Sequence, residues 1–289
     1  MQPSVVLRAP AKLNLTLEVG NRRADGYHTV RSLMVPIDLC DEISVQAARA
    51  FSFSCSREDL NAENLVERAF EQAAPHLAVD VRLTKVIPTG AGLGGGSSDA
   101  AAIVRAAAGG VLQVPRPADP VAIARALGSD VPFFLAGTAA VVEGTGERVT
   151  PLGAMPRWWT VIVKPPASVS TADAYRRLDE RERPSRARNA SLTIDAGEAL
   201  QRGDFPRVVE LLWNDFESVV YEMAPQIAQA RTALIDAGAT HALLTGSGAC
   251  VFALAPDEAE ARALDARVQL PGGYARFVVP FLTSRDWRA

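Results

Sequence analysis

Pro88-Thr89-Gly90-Ala91-Gly92-Leu93-Gly94-Gly95-Gly96-Ser97-Ser98 stands between a strand-like run, Val79–Ile87, and an alanine-rich run, Asp99–Ala108. The first run alternates apolar and polar residues, the period of a strand. The second is predicted helical and is closed by Gly109-Gly110. Five glycines in this stretch let the backbone take positive φ and approach a ligand closely. A helix N-terminus follows, where free N–H groups and the helix dipole favour an anion. Successive amides would cradle a phosphate. Ser97 and Ser98 add hydroxyls able to bond phosphate oxygens or reach a magnesium ion. Flexible linkers do not normally occupy a strand-to-helix junction of this kind, so the stretch is read as an exposed phosphate-binding loop.

Two simpler motifs are rejected. Gly90 to Gly95 matches G-x-G-x-x-G by letter, but a dinucleotide site also needs an acidic residue ending a strand about 20 residues later. The only candidate, Asp119, lies in a proline-rich turn. A Walker loop needs lysine and then Ser or Thr after its last glycine, and Gly96 is followed by Ser97. The His-Arg-Asp and Asp-Phe-Gly signatures of protein kinases are missing as well.

Outward from the loop, Val5–Ala9 and Leu13–Val19 read as strands interrupted at Pro10, and Val30–Leu39 and Glu42–Gln46 as strands separated by a turn at Asp41. Asn64–Ala74 has helical spacing, and Asp119–Leu127 is a second helix, with Gly128–Pro132 a turn after it. A hairpin is expected over Thr138–Thr150. Beyond a shift at Pro151–Arg157 come a strand at Trp159–Lys164 and helices at Thr171–Leu178, Thr193–Gln201, Pro206–Trp213 and Pro225–Ala237. Arg181–Arg188 reads as a mobile surface loop. The tail runs strand (Ala242–Leu244), turn (Thr245–Gly248), strand (Ala249–Leu254), helix (Asp257–Val268) and strand (Ala275–Val279). Early strands with few crossover helices predict an α+β protein of two lobes, residues 1–155 and 156–289.

The chain has 289 residues, 48% of them hydrophobic and 22% charged, which excludes disorder and coiled coil. Thirty basic against 33 acidic residues argue against non-specific nucleic-acid binding. Cys40, Cys55 and Cys250 are scattered and odd in number, as expected of buried, reduced thiols in a cytoplasmic protein. The first ten residues lack the layout of a signal peptide. The most apolar stretch, Val131–Val142, is too short to span a bilayer. No membrane partner is expected.

Three further segments carry candidate chemistry. In Ala9–Asn14, Lys12 and Asn14 share one strand face opposite Leu13, Leu15 and Leu17. An exposed edge strand explains that spacing equally well. Asp130 sits in the turn Gly128–Pro132, where Asp is common for conformational reasons alone. Thr245–Gly248 is a second glycine-rich turn, able to close over a ligand or merely to turn.

Together these segments resemble the GHMP kinases, which include galactokinase, homoserine kinase and mevalonate kinase. Pro88–Ser98 is similar to their phosphate loop, Ala9–Asn14 to their first motif and Leu244–Cys250 to their third. Ala24-Asp25-Gly26-Tyr27-His28-Thr29-Val30, Gly128–Phe133 and Asn214–Glu217 resemble one branch, whose alcohol substrate is a cytidine diphosphate derivative of methylerythritol in isoprenoid precursor synthesis. The resemblance implies a two-lobed fold with the active site in the cleft. It also implies phosphorylation of the tertiary 2-hydroxyl by ATP, with Mg2+.

By the same resemblance Lys12 and Asp130 form the catalytic pair. Asp130 would accept or orient the hydroxyl proton; Lys12 would hold Asp130 ionised and offset phosphoryl charge. Pro88 to Ser98 would hold the phosphates, Asn64 and Leu65 the adenine. Asn14, Tyr27, His28 and Lys85 would face the substrate, Lys85 also lying near the nucleotide, and Tyr175 would add a second aromatic wall for the cytosine. The variable position of Asp99 carries little weight. Ser97 or Ser98 would be the route to magnesium; no other metal ligand is assigned. The partners implied are small molecules, for a monomer or homodimer. A sister kinase with another alcohol, a nucleotide sensor without catalysis and a decarboxylating relative are the rivals. The joint presence of Lys12 and Asp130 speaks against the sensor, and Asp25–His28 against the decarboxylase.

Overall fold

Lys12, Asn14 and Thr16 alternate with Leu13, Leu15 and Leu17 along the first strand, and both sets are buried. That double burial follows from the strand's place between two layers. In the structure, a computed structural model, residues 5–60, 64–117, 119–181 and 192–283 are described. Strand β1 (Val5–Arg22) runs antiparallel to β2 (His28–Ala47) over nearly its whole length. There follow β3 (Ser52–Cys55), α1 (Leu65–Ala73), β4 (Val79–Thr84) and α2 (Gly95–Ala108). Helices α3 (Pro120–Leu127) and α4 (Val131–Ala136) lead to the hairpin β5 (Ala140–Gly144) and β6 (Arg148–Pro151). The later half comprises β7 (Trp159–Lys164), α5 (Thr171–Asp179), α6 (Leu192–Arg202), α7 (Phe205–Glu210) and β8 (Trp213–Asn214). Helices α8 (Glu217–Met223) and α9 (Pro225–Asp236), strands β9 (Leu243–Leu244) and β10 (Val251–Ala255), α10 (Glu258–Arg267) and β11 (Ala275–Pro280) complete it.

Two sheets result. The larger has the order β3-β4-β2-β1-β8, with β5 and β6 continuing from β2; the smaller is β11-β7-β10-β9. The sheets divide near residue 155, except that β8 crosses to pair in parallel with β1. A hydrophobic cluster also spans that boundary, joining Leu13, Leu15 and Leu33 to Leu200, Phe252 and Phe281. On the opposite face, the alanines of α2 lie buried against β1 and let the helix approach closely. Helix α2 is thereby fixed to the strand that carries Lys12.

Several boundaries differ from the sequence reading. Pro10 does not end a strand: the register shifts between Pro10 and Ala11, a bulge that absorbs the missing N–H. Asp41 makes no turn; it lies inside β2 and is fully buried. The strand read over Val79–Ile87 ends at Thr84, and residues just after the Asp130 turn form α4. Trp213 belongs to β8 and not to the preceding helix. Of the loop read at Arg181–Arg188, all but Arg181 lies outside the described residues.

Among the described residues the three cysteines form no disulfide; Cys55 and Cys250 are buried and Cys40 is half-buried. Burial pushes the Cys40 and Cys250 thiols up to about 12. Among the described residues no helix is long and apolar enough to cross a membrane.

Candidate active site

Helix α2 begins at Gly95, not at Asp99, so the last two glycines and both serines form its first turn. Gly94 precedes it in the left-handed region, with φ 73°, which directs the chain into the helix without a Cβ penalty. The loop is packed rather than free. Leu93 O accepts the Lys12 N–H at 3.0 Å, Gly90 O the Ala249 N–H at 3.3 Å and Ala91 O the Cys250 N–H at 3.1 Å. Outward from it opens a cleft of about 400 Å³, lined by Pro88–Ser97 together with Asn64, Leu65, Lys85 and Asp99. Asn64 is also the N-cap of α1: its Oδ1 accepts the Val66 N–H and its Nδ2 donates to Leu60 O. Both ends of that amide are therefore engaged by backbone, and Asn64 shapes the cleft wall.

Lys12 projects from β1 beneath the loop and is almost wholly buried, as is Asn14. Its Nζ donates to Asn14 Oδ1 at 2.5 Å and stands 3.9 Å from Asp130 Oδ2. Asn14 Nδ2 in turn donates to Ser32 Oγ at 2.7 Å. Burial lowers the ammonium pKa, and Asp130 works against that fall. Asp130 precedes α4 without a side-chain bond to its backbone, and its carboxylate is 34% exposed. The pair thus joins a desolvated cation to a carboxylate open toward solvent, an arrangement suited to holding a hydroxyl and an anion together.

Lys85 meets a second pair of carboxylates. Its Nζ donates to Asp41 Oδ2 at 2.5 Å and to Asp99 Oδ2 at 2.7 Å, while Asp41 Oδ1 accepts the Val86 and Ile87 N–H groups. Burial works to lower the Lys85 ammonium, but Asp99 and Asp41 outweigh it and leave it raised. Burial drives Asp99 up to about 7, with Lys85 opposing. The folded chain therefore keeps a proton on Asp99 where an unfolded carboxyl, with pKa about 3.9, has released it. That stabilisation is complete below about pH 4 and is lost as pH climbs through the folded value. Relative to Asp99→Asn, the parent's melting temperature is expected to fall between about pH 4 and pH 7.5 and then level off. Melting curves across that range check this; a difference that grows in the parent's favour with pH would contradict it.

The residues expected to face the substrate do not all line one cleft. Lys85 lines the cleft beside the glycine loop; Tyr27, His28 and Tyr175 lie outside that lining. Tyr27 is 66% exposed in the turn after β1. His28 is buried, its Nε2 2.8 Å from Asp179 Oδ1 and its ring stacked on Tyr175 with centroids 4.8 Å apart. Tyr175 also meets Phe216 edge-on. One face of Tyr175 is thus covered by His28 and its edge is met by Phe216, so that face of Tyr175 is not open as a second wall for a base.

Comparison with known proteins decides the lineage. The GHMP kinases N terminal domain matches residues 64–138, and the GHMP kinases C terminal family matches 197–271. The 4-diphosphocytidyl-2-C-methyl-D-erythritol kinase of Deinococcus radiodurans is 42% identical over 275 residues, covering 91% of this chain and 89% of its own. That of Geobacter metallireducens is 40% identical over 273 residues, covering 90% and 92%. A crystal structure of 4-(cytidine 5'-diphospho)-2C-methyl-D-erythritol kinase superimposes with TM-score 0.77 at 34% identity, over 96% of this chain and 99% of that one. The chain belongs to this kinase family, within the GHMP kinases. Homoserine kinase from Cytophaga hutchinsonii, at 18% identity and TM-score 0.68, shares the fold.

For a kinase, the first turn of α2 has the chemistry a metal–nucleotide complex needs. Ser98 Oγ is buried and has no hydrogen-bond partner, an atom that costs free energy until a ligand satisfies it. Ser97, at the cleft surface, is the lesser candidate. Several residues of this site escaped the sequence reading. Asp41 has the chemistry of a turn residue, Asp179 carries no local signature, and Thr245 is legible only as part of a glycine-rich turn. Asn214 did belong to a recognised motif, but its contacts lie in the turn at Thr245–Gly248. That turn packs directly on the loop: Thr245 Oγ1 accepts the Asn14 N–H at 3.1 Å and lies 3.4 Å from Gly92 O.

Proposed function

We propose that this kinase transfers the γ-phosphoryl group of ATP to the 2-hydroxyl of 4-diphosphocytidyl-2-C-methyl-D-erythritol, giving the 2-phosphate and ADP for non-mevalonate isoprenoid synthesis. The observation that carries the reading is the approach of the Lys12 ammonium to Asp130, 3.9 Å away, beside a glycine loop at a helix N-terminus. The alcohol oxygen attacks the γ-phosphorus, its proton passes to Asp130, and the bond to ADP breaks. Because the transition state is loose, the proton leaves late, and placement of the hydroxyl matters more than base strength. Lys12 offsets charge on the transferring group. The amides of Gly92–Ser98 hold the phosphates, with the adenine beside Asn64 and Leu65. Lys85, beneath the loop, adds positive charge that Asp41 and Asp99 keep in place. Ser98, and less directly Ser97, would hold Mg2+, which neutralises phosphate charge when bound.

On the cytidine side, Tyr27 offers a face for the base, His28 an edge donor or acceptor, and Tyr175 the support behind His28. Stacking of this kind is worth roughly 1–3 kcal/mol per base. Since cytosine and uracil exchange donor for acceptor, a site built for one leaves polar groups unpaired with the other. The cytidine substrate is therefore expected to be used far better than its uridine analogue, and methylerythritol phosphate hardly at all. His28→Ala should weaken the cytidine preference and leave ATP affinity intact. Mass-spectrometric product assays with ATP and these alcohols test the reading; equal efficiency on all of them would overturn it. Action in the cytoplasm as a monomer or homodimer belongs to the same reading; cysteines that form no disulfide among the described residues support the compartment, and light scattering of the purified kinase distinguishes the two states.

A further inference from the structure

Asn214, Asp215, Phe216 and Glu217 carry the chain from β8 into α8, and their side chains bind three neighbouring parts of the structure: the Leu244–Gly246 segment, the end of β1 and Tyr175. Asn214 Nδ2 donates to Leu244 O at 2.7 Å and to Gly246 O at 2.8 Å, while its Oδ1 accepts the Phe216 N–H. Asp215 accepts the Val19 N–H at 2.7 Å and the Trp213 indole N–H at 2.6 Å, tying the segment to the end of β1. Phe216 meets Tyr175 edge-on, with centroids 4.8 Å apart. Glu217 Oε1 accepts the Leu244 N–H at 3.0 Å and the Tyr221 hydroxyl.

The two carbonyls held by Asn214 flank Thr245. Thr245 Oγ1 accepts the Asn14 N–H, and Asn14 Oδ1 accepts the Lys12 ammonium. A Cβ placed on Gly246 would stand 3.4 Å from Lys12 Nζ, so the turn is also one side of the lysine's slot. Asn214 is buried and is not part of the cleft lining. Its two amide N–H donations both go to one turn, whose Thr245 bonds Asn14, the residue that accepts the Lys12 ammonium. The phosphate loop touches the turn at Thr245, whose Oγ1 lies 3.4 Å from Gly92 O, but its backbone is anchored just beyond the turn by the Ala249 and Cys250 N–H groups, which do not involve Asn214.

We propose that Asn214 is a positioning residue for phosphoryl transfer. By fixing the carbonyls on either side of Thr245 it sets Asn14 and Lys12 against Asp130, so turnover depends on it while nucleotide affinity does not. The proposal rests on the reading of Lys12 and Asp130 given above, and a double-mutant cycle separates the two.

Asn214→Ala, Lys12→Met and their combination would be assayed by single-turnover kinetics, with KM for ATP measured for each. Displacing a reacting group by about 1 Å can cost about 10²-fold. Asn214→Ala is accordingly expected to lower the rate about 30- to 100-fold with KM for ATP within about 3-fold of the parent. The combined variant should be within about 3-fold of Lys12→Met alone, because the effect of Asn214 passes through Lys12. Should Asn214→Ala fail to fold, Thr245→Val, which keeps the shape and removes the hydroxyl on Asn14, takes its place with the same non-additivity expected. Losses that multiply fully in the Lys12→Met background would show a general structural role and overturn the proposal. So would a raised KM for ATP at unchanged rate. A Lys12→Met variant as fast as the parent would overturn the reading of Lys12 itself, and the proposal with it.

Discussion

Asp130→Asn is expected to bind ATP and the cytidine substrate with near-parental affinity and to lose about 10²–10⁴-fold in turnover. The fold should tolerate the change. The side chain is isosteric, 34% exposed, and makes no capping bond to α4 that an amide would forfeit. What disappears is the proposed acceptor for the hydroxyl proton and the negative charge that counters the desolvation of Lys12. Burial already lowers the Lys12 ammonium, and Asp130 counters it. Without that carboxylate the lysine should titrate at lower pH, so the residual activity of Asp130→Asn should decline at lower alkaline pH than the parent's. Initial rates across pH, with calorimetric ATP titration, measure both effects. Turnover within a few-fold of the parent would remove Asp130 from the chemistry.

The second large effect is expected at Gly92. Its φ of 76° lies in the left-handed region, and a Cβ there would stand 2.1 Å from Thr245 O and 3.0 Å from Thr245 C. Backbone carbonyl cannot swing aside as a side-chain end can, so the phosphate loop and the Thr245 turn must separate. Gly92→Ala then combines a left-handed penalty of about 1–2 kcal/mol with overpacking of about 1–3 kcal/mol. A stability loss of roughly 2–5 kcal/mol and more than about tenfold weaker ATP binding are expected. Gly90 supplies the control. It has φ 59° but nothing within 4 Å of an added Cβ, so Gly90→Ala should show the backbone penalty alone. Denaturant unfolding of the two variants checks the difference. Equal losses would mean that the loop-to-turn contact carries no weight. The contact also corrects the picture of an exposed loop, in which substitution would weaken ATP binding and leave stability untouched.

Some of the site was legible because its signals are local. Glycine-rich junctions, N-caps and helical periodicity act within about one or two turns of chain. Thus Pro88–Ser98 was readable as a glycine-rich junction into a helix, α1 and α3 were placed by Asn64 and Asp119, and Lys12 and Asn14 were set on one strand face. The kinase identity rested on the order and resemblance of several such segments. The errors were local too. Pro10 and Asp41 are strong breakers by their chemistry, but β1 and β2 accommodate them through a bulge and a buried carboxylate bound to lysine and backbone amides.

What the sequence by itself determined is therefore the loop, the helix it opens and the candidate pair Lys12 and Asp130. Tertiary structure alone decided which side chains hold that pair. Thr245 lies 231 residues from Asn14, Asp179 lies 151 from His28, and Asp41 lies 44 from Lys85. No propensity or period links positions so far apart. Pairing of Glu42 with Thr84 across β2 and β4 brings Asp41 to Lys85, whereas the crossing of β8 to β1 and the core between the two sheets bring the two halves of the chain together. Burial also changed the chemistry of residues whose identities were plain. An ammonium on an edge strand would be solvated and ordinary, whereas Lys12 beneath the loop is stripped of water, which lowers its pKa, and Asp130 works against that fall.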